Sequence, residues 1–221
     1  MKILIVSGFL GAGKTTFIKR LARNVDQRFA ILENEYGAAG IDGARLGQNR
    51  QGTQKNVWEM TEQCICCIGK KDFAASVLTI ANVVDPEYLI VEPTGVGSLA
   101  RIIENLRQIE YERIQLLSPV TIVDVYSYRR YMAEYPELYQ DQIRSADTII
   151  VSKTEACQAE EKQRIQKFLQ EINSQAKIIT DYASTMTRED YQSLLLGSRY
   201  EKKVQDTQSG EKMPETFSFE N

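Results

Sequence analysis

The chain has 221 residues, with 27 basic and 30 acidic side chains (net charge −3), 43% hydrophobic residues, four cysteines and no histidine. That suits one domain with a sizeable core and at most a short appendage, and the lack of any long basic block excludes the broad positive footprint of a nucleic-acid binder. No apolar run approaches the ~20 residues of a membrane span and no charged leader precedes the first strand, so the expected compartment is the cytoplasm, with neither a membrane nor nucleic acid as partner.

In chain order, the apolar run 3–6 reads as a buried strand, and Gly8-Phe9-Leu10-Gly11-Ala12-Gly13-Lys14-Thr15 follows it as a complete G-x-x-x-x-G-K-T phosphate-binding loop. Gly8, Gly11 and Gly13 allow successive backbone N–H groups to converge on phosphates with no Cβ in the way. Lys14 then reaches the outer phosphates, and Thr15 offers its hydroxyl to a magnesium ion. The stretch 15–24 has helical apolar spacing, so the phosphates also meet a helix N-terminus, where free N–H groups favour anions. The expected nucleotide contacts are Gly8, Gly11, Ala12, Gly13, Lys14, Thr15 and Thr16. The alternative, a glycine turn that binds nothing, leaves the strand, the Lys-Thr pair and the helix without a common explanation.

Further along, apolar runs at 29–32, 88–91, 120–123, 148–151 and 177–180 read as parallel strands, and helical patterns at 72–83, 99–107 and 160–172 lie between them. The last carries Ile165, Phe168, Leu169 and Ile172 on one stripe. Alternating strands and helices predict an α/β fold with a doubly wound, mostly parallel sheet, helices on both faces and ligands at the carboxyl ends of the strands. From about residue 199 the chain turns polar, so the expected division is a domain over 1–196 and a polar tail or linker over 197–221.

Cys64-Ile65-Cys66-Cys67 places three of the four cysteines within four residues. Cysteines this close bridge poorly, whereas three thiolates can converge on a soft or borderline cation such as zinc, cobalt or copper(I). A closed structural zinc site wants four ligands, and an incomplete shell suits a metal that must leave again. Without histidine, a fourth protein ligand has to be a carboxylate, Cys157 or a group from a partner. Small buried hydrophobes and a redox switch are the competing readings of the triplet. Tyr126, Tyr128, Tyr131, Tyr135 and Tyr139 form a dense group with Arg129 and Arg130, which reads equally well as a docking face and as core packing.

The loop Gly8–Thr16, then Glu33-Asn34-Glu35-Tyr36-Gly37 with Gly40-Ile41-Asp42, the C-x-C-C triplet and Glu92-Pro93-Thr94-Gly95 occur in the order found in CobW-type GTPases, relatives of UreG and HypB, which this chain resembles through about residue 180. The resemblance implies a GTP-hydrolysing metallochaperone or metal-insertion factor, with zinc or cobalt as the metal. It makes 33–42 the first switch, where Glu33 holds a magnesium-bound water or joins the metal shell of Cys64, Cys66 and Cys67. Asp42 there positions the attacking water or holds magnesium through water. It makes 92–95 the second switch, with Gly95 N–H on the γ-phosphate and Glu92 beside the magnesium. Lys14, Asp42 and Gly95 are then the catalytic set, and Thr15, Asp42 and Glu92 the magnesium set.

Ser152-Lys153-Thr154-Glu155 resembles the family's [Asn/Thr]-Lys-x-Asp segment, with Ser and Glu at its ends. A carboxylate accepts from guanine N1–H and the 2-amino group together, so Glu155 favours guanine if its extra methylene fits. S-x-x-E is also the signature of a helix capping box. Two departures stand out. Gln63 occupies the place before the triplet where relatives often have Gly, and the second, C-terminal domain of larger members is expected to lie outside this sequence, with 197–221 as its start in a truncated form or as the tail of a natural single-domain branch. No arginine finger occupies a motif position, so hydrolysis is expected to be slow without a partner or a second protomer. A client metalloenzyme or corrinoid-pathway protein is the implied recipient. The rival readings are a small-molecule kinase and a metal- or redox-sensing module that keeps its nucleotide as a structural ligand.

Overall fold

The computed structural model describes residues 1–27, 29–33, 57–61, 70–197 and 200, and for 33, 57–61 and 70–74 the backbone alone. The chain runs β1 (Lys2–Gly8), α1 (Lys14–Asn24), β2 (Phe29–Glu33), β3 (Val57–Thr61), α2 (Lys70–Val83), β4 (Tyr88–Glu92) and α3 (Leu99–Arg107). It continues with β5 (Gln115–Leu116), β6 (Val120–Asp124), α4 (Tyr128–Glu134), α5 (Pro136–Arg144), β7 (Thr148–Ser152), α6 (Ala159–Ile172), β8 (Lys177–Ile179), α7 (Tyr182–Thr185) and α8 (Arg188–Leu196).

The strands form one sheet in the order β3-β2-β4-β1-β6-β7-β8, with β5 beside β1, and every strand pair is parallel. From β1 the chain first builds the β4 side of the sheet and later crosses to the β6 side. The carboxyl end of β1 is therefore the point where strand order reverses, and a crevice opens there.

Alternation along β1 explains why it is apolar on both faces. Leu4 and Val6 pack with Phe17, Ile18 and Leu21 of α1 and Leu195 of α8. Ile3 and Ile5 pack with Val77 and Ile80 of α2 and with Leu99, Ile102 and Leu106 of α3. A third cluster joins Val123 and Val125 to Tyr139, Ile143, Ile149, Ile165 and Leu169, under α4, α5 and α6. A strand covered by helices on both sides has no polar face to offer, and so reads as a continuous apolar run.

All six expected strands and all four expected helices are present, with ends shifted by a residue or two. Two strands were not foreseen. In β3, Glu59 interrupts the apolar run, and the segment is recognised as a strand only through its pairing with β2, Phe29 opposite Val57. The two-residue β5 is too short for any periodicity to show. The helices α4 and α5 abut at Tyr135, which ends one and precedes Pro136 in the first turn of the other. The start of α8 is marked by a capping box between Thr187 and Asp190. Beyond α8, Tyr200 donates its N–H to Leu116 O at 2.9 Å, and the Arg107 guanidinium lies over its ring at 4.8 Å.

Asn173 ties the end of α5 to the α6–β8 turn. Its amide nitrogen donates to the carbonyls of Ile143 (2.8 Å), Arg144 (3.2 Å) and Ala146 (2.9 Å), and its oxygen accepts from the N–H groups of Gln175 (3.2 Å) and Ala176 (3.1 Å). Truncation strands several buried carbonyls, so Asn173→Ala is expected to lower the unfolding free energy by roughly 2–4 kcal/mol. Urea denaturation with an unchanged m-value checks this, and a loss within experimental error would contradict the role.

Candidate nucleotide site

The phosphate loop leaves β1 at its carboxyl end. Gly8 has φ 142°, and a Cβ there would lie 2.4 Å from Ile122 O of β6, so only glycine lets the chain turn this close to its neighbour strand. Gly13, at φ 97°, caps α1 without a side chain, leaving the first helical N–H groups facing the loop. Lys14 folds back under this loop, donating to Gly8 O at 3.0 Å and Phe9 O at 3.4 Å, and is itself buried. Burial pushes its ammonium below the ordinary lysine value of 10.5, and the negative charge of Glu92 offsets part of that shift.

The residues expected to meet magnesium meet each other. Thr15 Oγ1 donates to Glu92 Oε1 at 3.0 Å and to Oε2 at 3.2 Å, joining the start of α1 to the end of β4. An adjacent hydroxyl and carboxylate are the donor set a hard, oxygen-seeking cation prefers, so these residues fit magnesium. Glu33 ends β2 in register with Glu92. Thr16 lies exposed on the first turn of α1.

The loop after β4 rests on the phosphate loop. A Cβ on Gly95 would stand 2.3 Å from Leu10 N and 2.8 Å from the Phe9 carbonyl carbon, a contact only glycine permits. On the far side of the phosphate loop, Ser152 Oγ donates to Ala12 O at 2.6 Å. Lys153 follows with a left-handed φ of 59°, its ammonium 2.7 Å from the buried carboxylate of Asp124. Glu155 is exposed on the rim of a pocket lined by Thr154, Lys162, Asp181 and the residues 183–185. There Lys162 pairs with Asp181 at 2.5 Å. That bond holds the Asp181 carboxyl below the ordinary carboxylate value, with slight burial opposing and the Thr154 hydroxyl assisting.

The helix-cap alternative for Ser152 is overturned. α6 begins at Ala159 with Gln158 as its cap, six residues after β7 ends at Ser152, and the Ser152 hydroxyl is committed to the phosphate loop. The tyrosine group divides. Tyr128 and Tyr139 are buried, whereas Tyr126 and Tyr135 are about half exposed or more (61% and 48%). Phe9 stacks on Tyr131, Tyr135 and Tyr139 with centroids 4.5, 5.8 and 5.2 Å away, and Tyr131 Oη donates to Leu10 O at 3.0 Å. Much of that aromatic density therefore supports the phosphate loop.

Three contributors had no reading in the sequence, Asp124, Gln142 (whose Nε2 donates to Gly95 O at 3.1 Å) and Asp181, and Tyr131 was read only within the tyrosine group. Asp124 alone left a signal, as an acid ending an apolar run. Asp42, Cys64, Cys66 and Cys67 lie outside the described residues, as does the side chain of Glu33. Cys157 is half-buried and donates to Gln158 O at 3.7 Å. Among the described residues no cluster of three or more Cys, Asp or Glu could hold a metal, and no helix is long and apolar enough to cross a membrane.

A glycine-lined loop at the switch point, a lysine beneath it and a hydroxyl–carboxylate pair beside it describe a P-loop nucleotide site, and a family described as CobW/HypB/UreG, nucleotide-binding domain, matches residues 2–180. The chain belongs to this family. Over 178 residues it is 30% identical to the zinc chaperone YeiR of Escherichia coli (strain K12), a match covering 79% of this chain and 53% of that protein. The Zn(II)-bound YjiA GTPase from E. coli superposes with a TM-score of 0.62 at 23% identity, covering 85% of this chain and 58% of that one. The hydrogenase maturation factor HypB from Archaeoglobus fulgidus superposes with a TM-score of 0.55 at 17% identity, covering 89% of each chain. These superpositions show the α/β P-loop fold. This chain spans about half the length of the curated relatives it matches.

Because the folded-state value of Lys14 lies below its unfolded value, the unfolded chain binds more protons between the two, and stability rises with pH across that window. Nucleotide-free protein is expected to gain stability relative to Lys14→Met as pH climbs toward 10.5. Paired denaturation midpoints read this out, and a pH-independent difference would count against a buried, charge-penalised lysine.

Proposed function

We propose that the chain is the GTP-binding and GTP-hydrolysing unit of a cytoplasmic metallochaperone, which binds a transition metal at Cys64, Cys66 and Cys67 and couples nucleotide state to metal delivery. The observation that carries this reading is the contact between Thr15 and Glu92. It ties the phosphate loop to the loop that begins after β4, so occupancy at one is felt at the other. The names of the relatives, a zinc chaperone and a Zn(II)-bound GTPase among them, support zinc as cargo. Cobalt is the second candidate, on the softness of a thiolate triplet.

In the proposed reaction a water attacks the γ-phosphorus of GTP, the bond to the oxygen bridging to the β-phosphate breaks, and GDP and phosphate leave. Lys14, already directed into the loop, moves its ammonium from the carbonyls of Gly8 and Phe9 onto the β- and γ-phosphate oxygens and neutralises charge there. Gly95 N–H donates to the γ-phosphate, and Asp42 orients the water. Thr15 and Glu92, with Asp42, would hold magnesium, which when bound draws charge from the phosphate oxygens. The N–H groups at the start of α1 bind the remaining oxygens together with Gly11, Ala12, Gly13 and Thr16. Ser152 and Lys153 shape the base pocket, and Glu155 accepts from guanine. Glu33 would add a carboxylate to the cysteine shell. Turnover is slow until a client metalloenzyme or corrinoid-pathway protein, or a second copy of the chain, completes the site.

Two outcomes are expected. Replacing Glu155 by Ala relaxes the preference for GTP over ATP, read as the ratio of their dissociation constants, and an unchanged ratio would remove Glu155 from base recognition. A zinc titration of fully reduced protein, run without nucleotide, with magnesium-GDP and with a magnesium-bound non-hydrolysable GTP analogue, gives different metal affinities in the three states. Linkage then requires the metal to shift nucleotide affinity by the same factor. Equal zinc binding in all three states would reduce the triplet to a static or sensory site, and phosphate transfer to a small acceptor would favour a kinase instead.

A further inference from the structure

Helix α5 holds the loop after β4 from behind, at two adjacent positions. Gln142 is 1% exposed, and its Nε2 donates to Gly95 O at 3.1 Å and to Gly97 O at 3.0 Å. Its neighbour Asp141 accepts at Oδ2 from Leu99 N–H (2.7 Å) and Ala100 N–H (3.3 Å), the first N–H groups of α3. Gln142 is itself anchored, since its backbone carbonyl accepts from Thr121 Oγ1 of β6 at 2.9 Å.

The amide can face this way only. Turned over, its oxygen would confront two carbonyl oxygens, so the NH₂ end must point at the loop. That leaves Oε1 buried with no hydrogen-bond partner among the described residues. A buried acceptor left unpaired is unfavourable, and such groups are kept where a function requires them. Here the arrangement orients the loop's peptide planes. Holding the Gly95 carbonyl toward α5 fixes the residue whose own N–H is the proposed γ-phosphate donor, and the Val96 N–H in the carbonyl's planar unit points the opposite way. Meanwhile Gly95 abuts Leu10 N and Phe9, so a shift of this loop is a shift against the phosphate loop. The same pair of helices also grips the phosphate loop directly, through Tyr131 Oη on Leu10 O and the stack on Phe9.

We infer that Gln142, with Asp141 beside it, is a positioning residue for recognition of the third phosphate: by holding the carbonyls of Gly95 and Gly97 it sets the backbone donors that distinguish a nucleoside triphosphate from a diphosphate. This rests on the nucleotide-switch reading proposed above and goes beyond it by assigning the discrimination to a side chain on α5 that touches no nucleotide. A diphosphate is held by the phosphate loop and the start of α1 and needs little from the loop after β4. A triphosphate needs both.

The test uses Gln142→Met, which keeps length and apolar bulk but cannot donate, and Asp141→Ala, a half-buried position whose loss the fold tolerates better. Dissociation constants are measured for magnesium-GDP and for a magnesium-bound non-hydrolysable GTP analogue, with melting temperature alongside. Removing two hydrogen bonds that set a loop only the triphosphate relies on is expected to weaken the analogue by about tenfold, with GDP changing by less than about twofold, for either variant that folds. A merely structural role would weaken both nucleotides together in step with a lowered melting temperature, and that result overturns the inference, as does unchanged binding of both. The underlying reading fails separately: wild-type protein would bind neither nucleotide.

Discussion

The site depends on one constraint: β1 is buried on both faces in the middle of a parallel sheet, and its carboxyl end is the place where the chain changes sides. Helices lie on both faces of the sheet, and among the described residues the crevice between the β4 and β6 loops is covered by the short loop from Gly8 to Gly13. Close backbone approach at Gly8 follows from the spacing of about 4.8 Å between neighbouring strands, which leaves no room there for a side chain beside β6. The glycine at position 8, whose Cβ would meet Ile122 O, is a consequence of sheet geometry before it is a consequence of phosphate chemistry.

Electrostatics then arranges what the crevice contains. Lys14 is held below its ordinary value because burial removes water from its ammonium and the loop carbonyls replace only part of it. A buried cation with weak partners has much to gain from an anion, whereas an exposed lysine would exchange water for phosphate at little net advantage. The Thr15–Glu92 contact has the complementary character, an oxygen-rich pair at the end of β4 whose negative charge is felt by Lys14. Both features favour a ligand carrying several negative charges together with a hard cation.

Around this centre the α4–α5 pair gives the crevice its mechanical continuity. Phe9 is seated among three tyrosines, Leu10 O accepts from Tyr131, and the loop after β4 is held by Gln142 and Asp141. Asn173 in turn fixes the carboxyl end of α5. On the base side, Ser152 bonds the phosphate loop while Asp181 draws together Thr154 and Lys162, so both ends of the Ser152–Glu155 segment are held by groups from other elements. Each loop of the site is thus braced by an element distant in sequence, which is the preorganisation a positioned phosphate requires.

The fold class, the phosphate loop, the strands leading to Glu92 and Ser152 (read one residue short, to 91 and 151), and the membership of the CobW/HypB/UreG family were all legible in the amino-acid sequence, because each rests on local chemistry: an unbroken apolar run, glycine spacing, a Lys-Thr pair, a carboxylate after a strand. β3 and β5 were not legible, since one carries a charge in its middle and the other has two residues, and both exist as strands only by pairing. Nor was the division of the tyrosines, because Tyr128 and Tyr126 differ in burial, not in chemistry. The S-x-x-E pattern at 152–155 could mean a helix cap or a base-reading segment, and the tertiary structure removed the cap by placing Ser152 against Ala12 and starting α6 only at Ala159. What the sequence by itself determined was the kind of ligand and the loop that receives it. What only the tertiary structure decided was which distant side chains, Tyr131, Gln142, Asp124 and Asp181, hold that loop in place, since contacts between residues tens of positions apart leave no pattern along the chain.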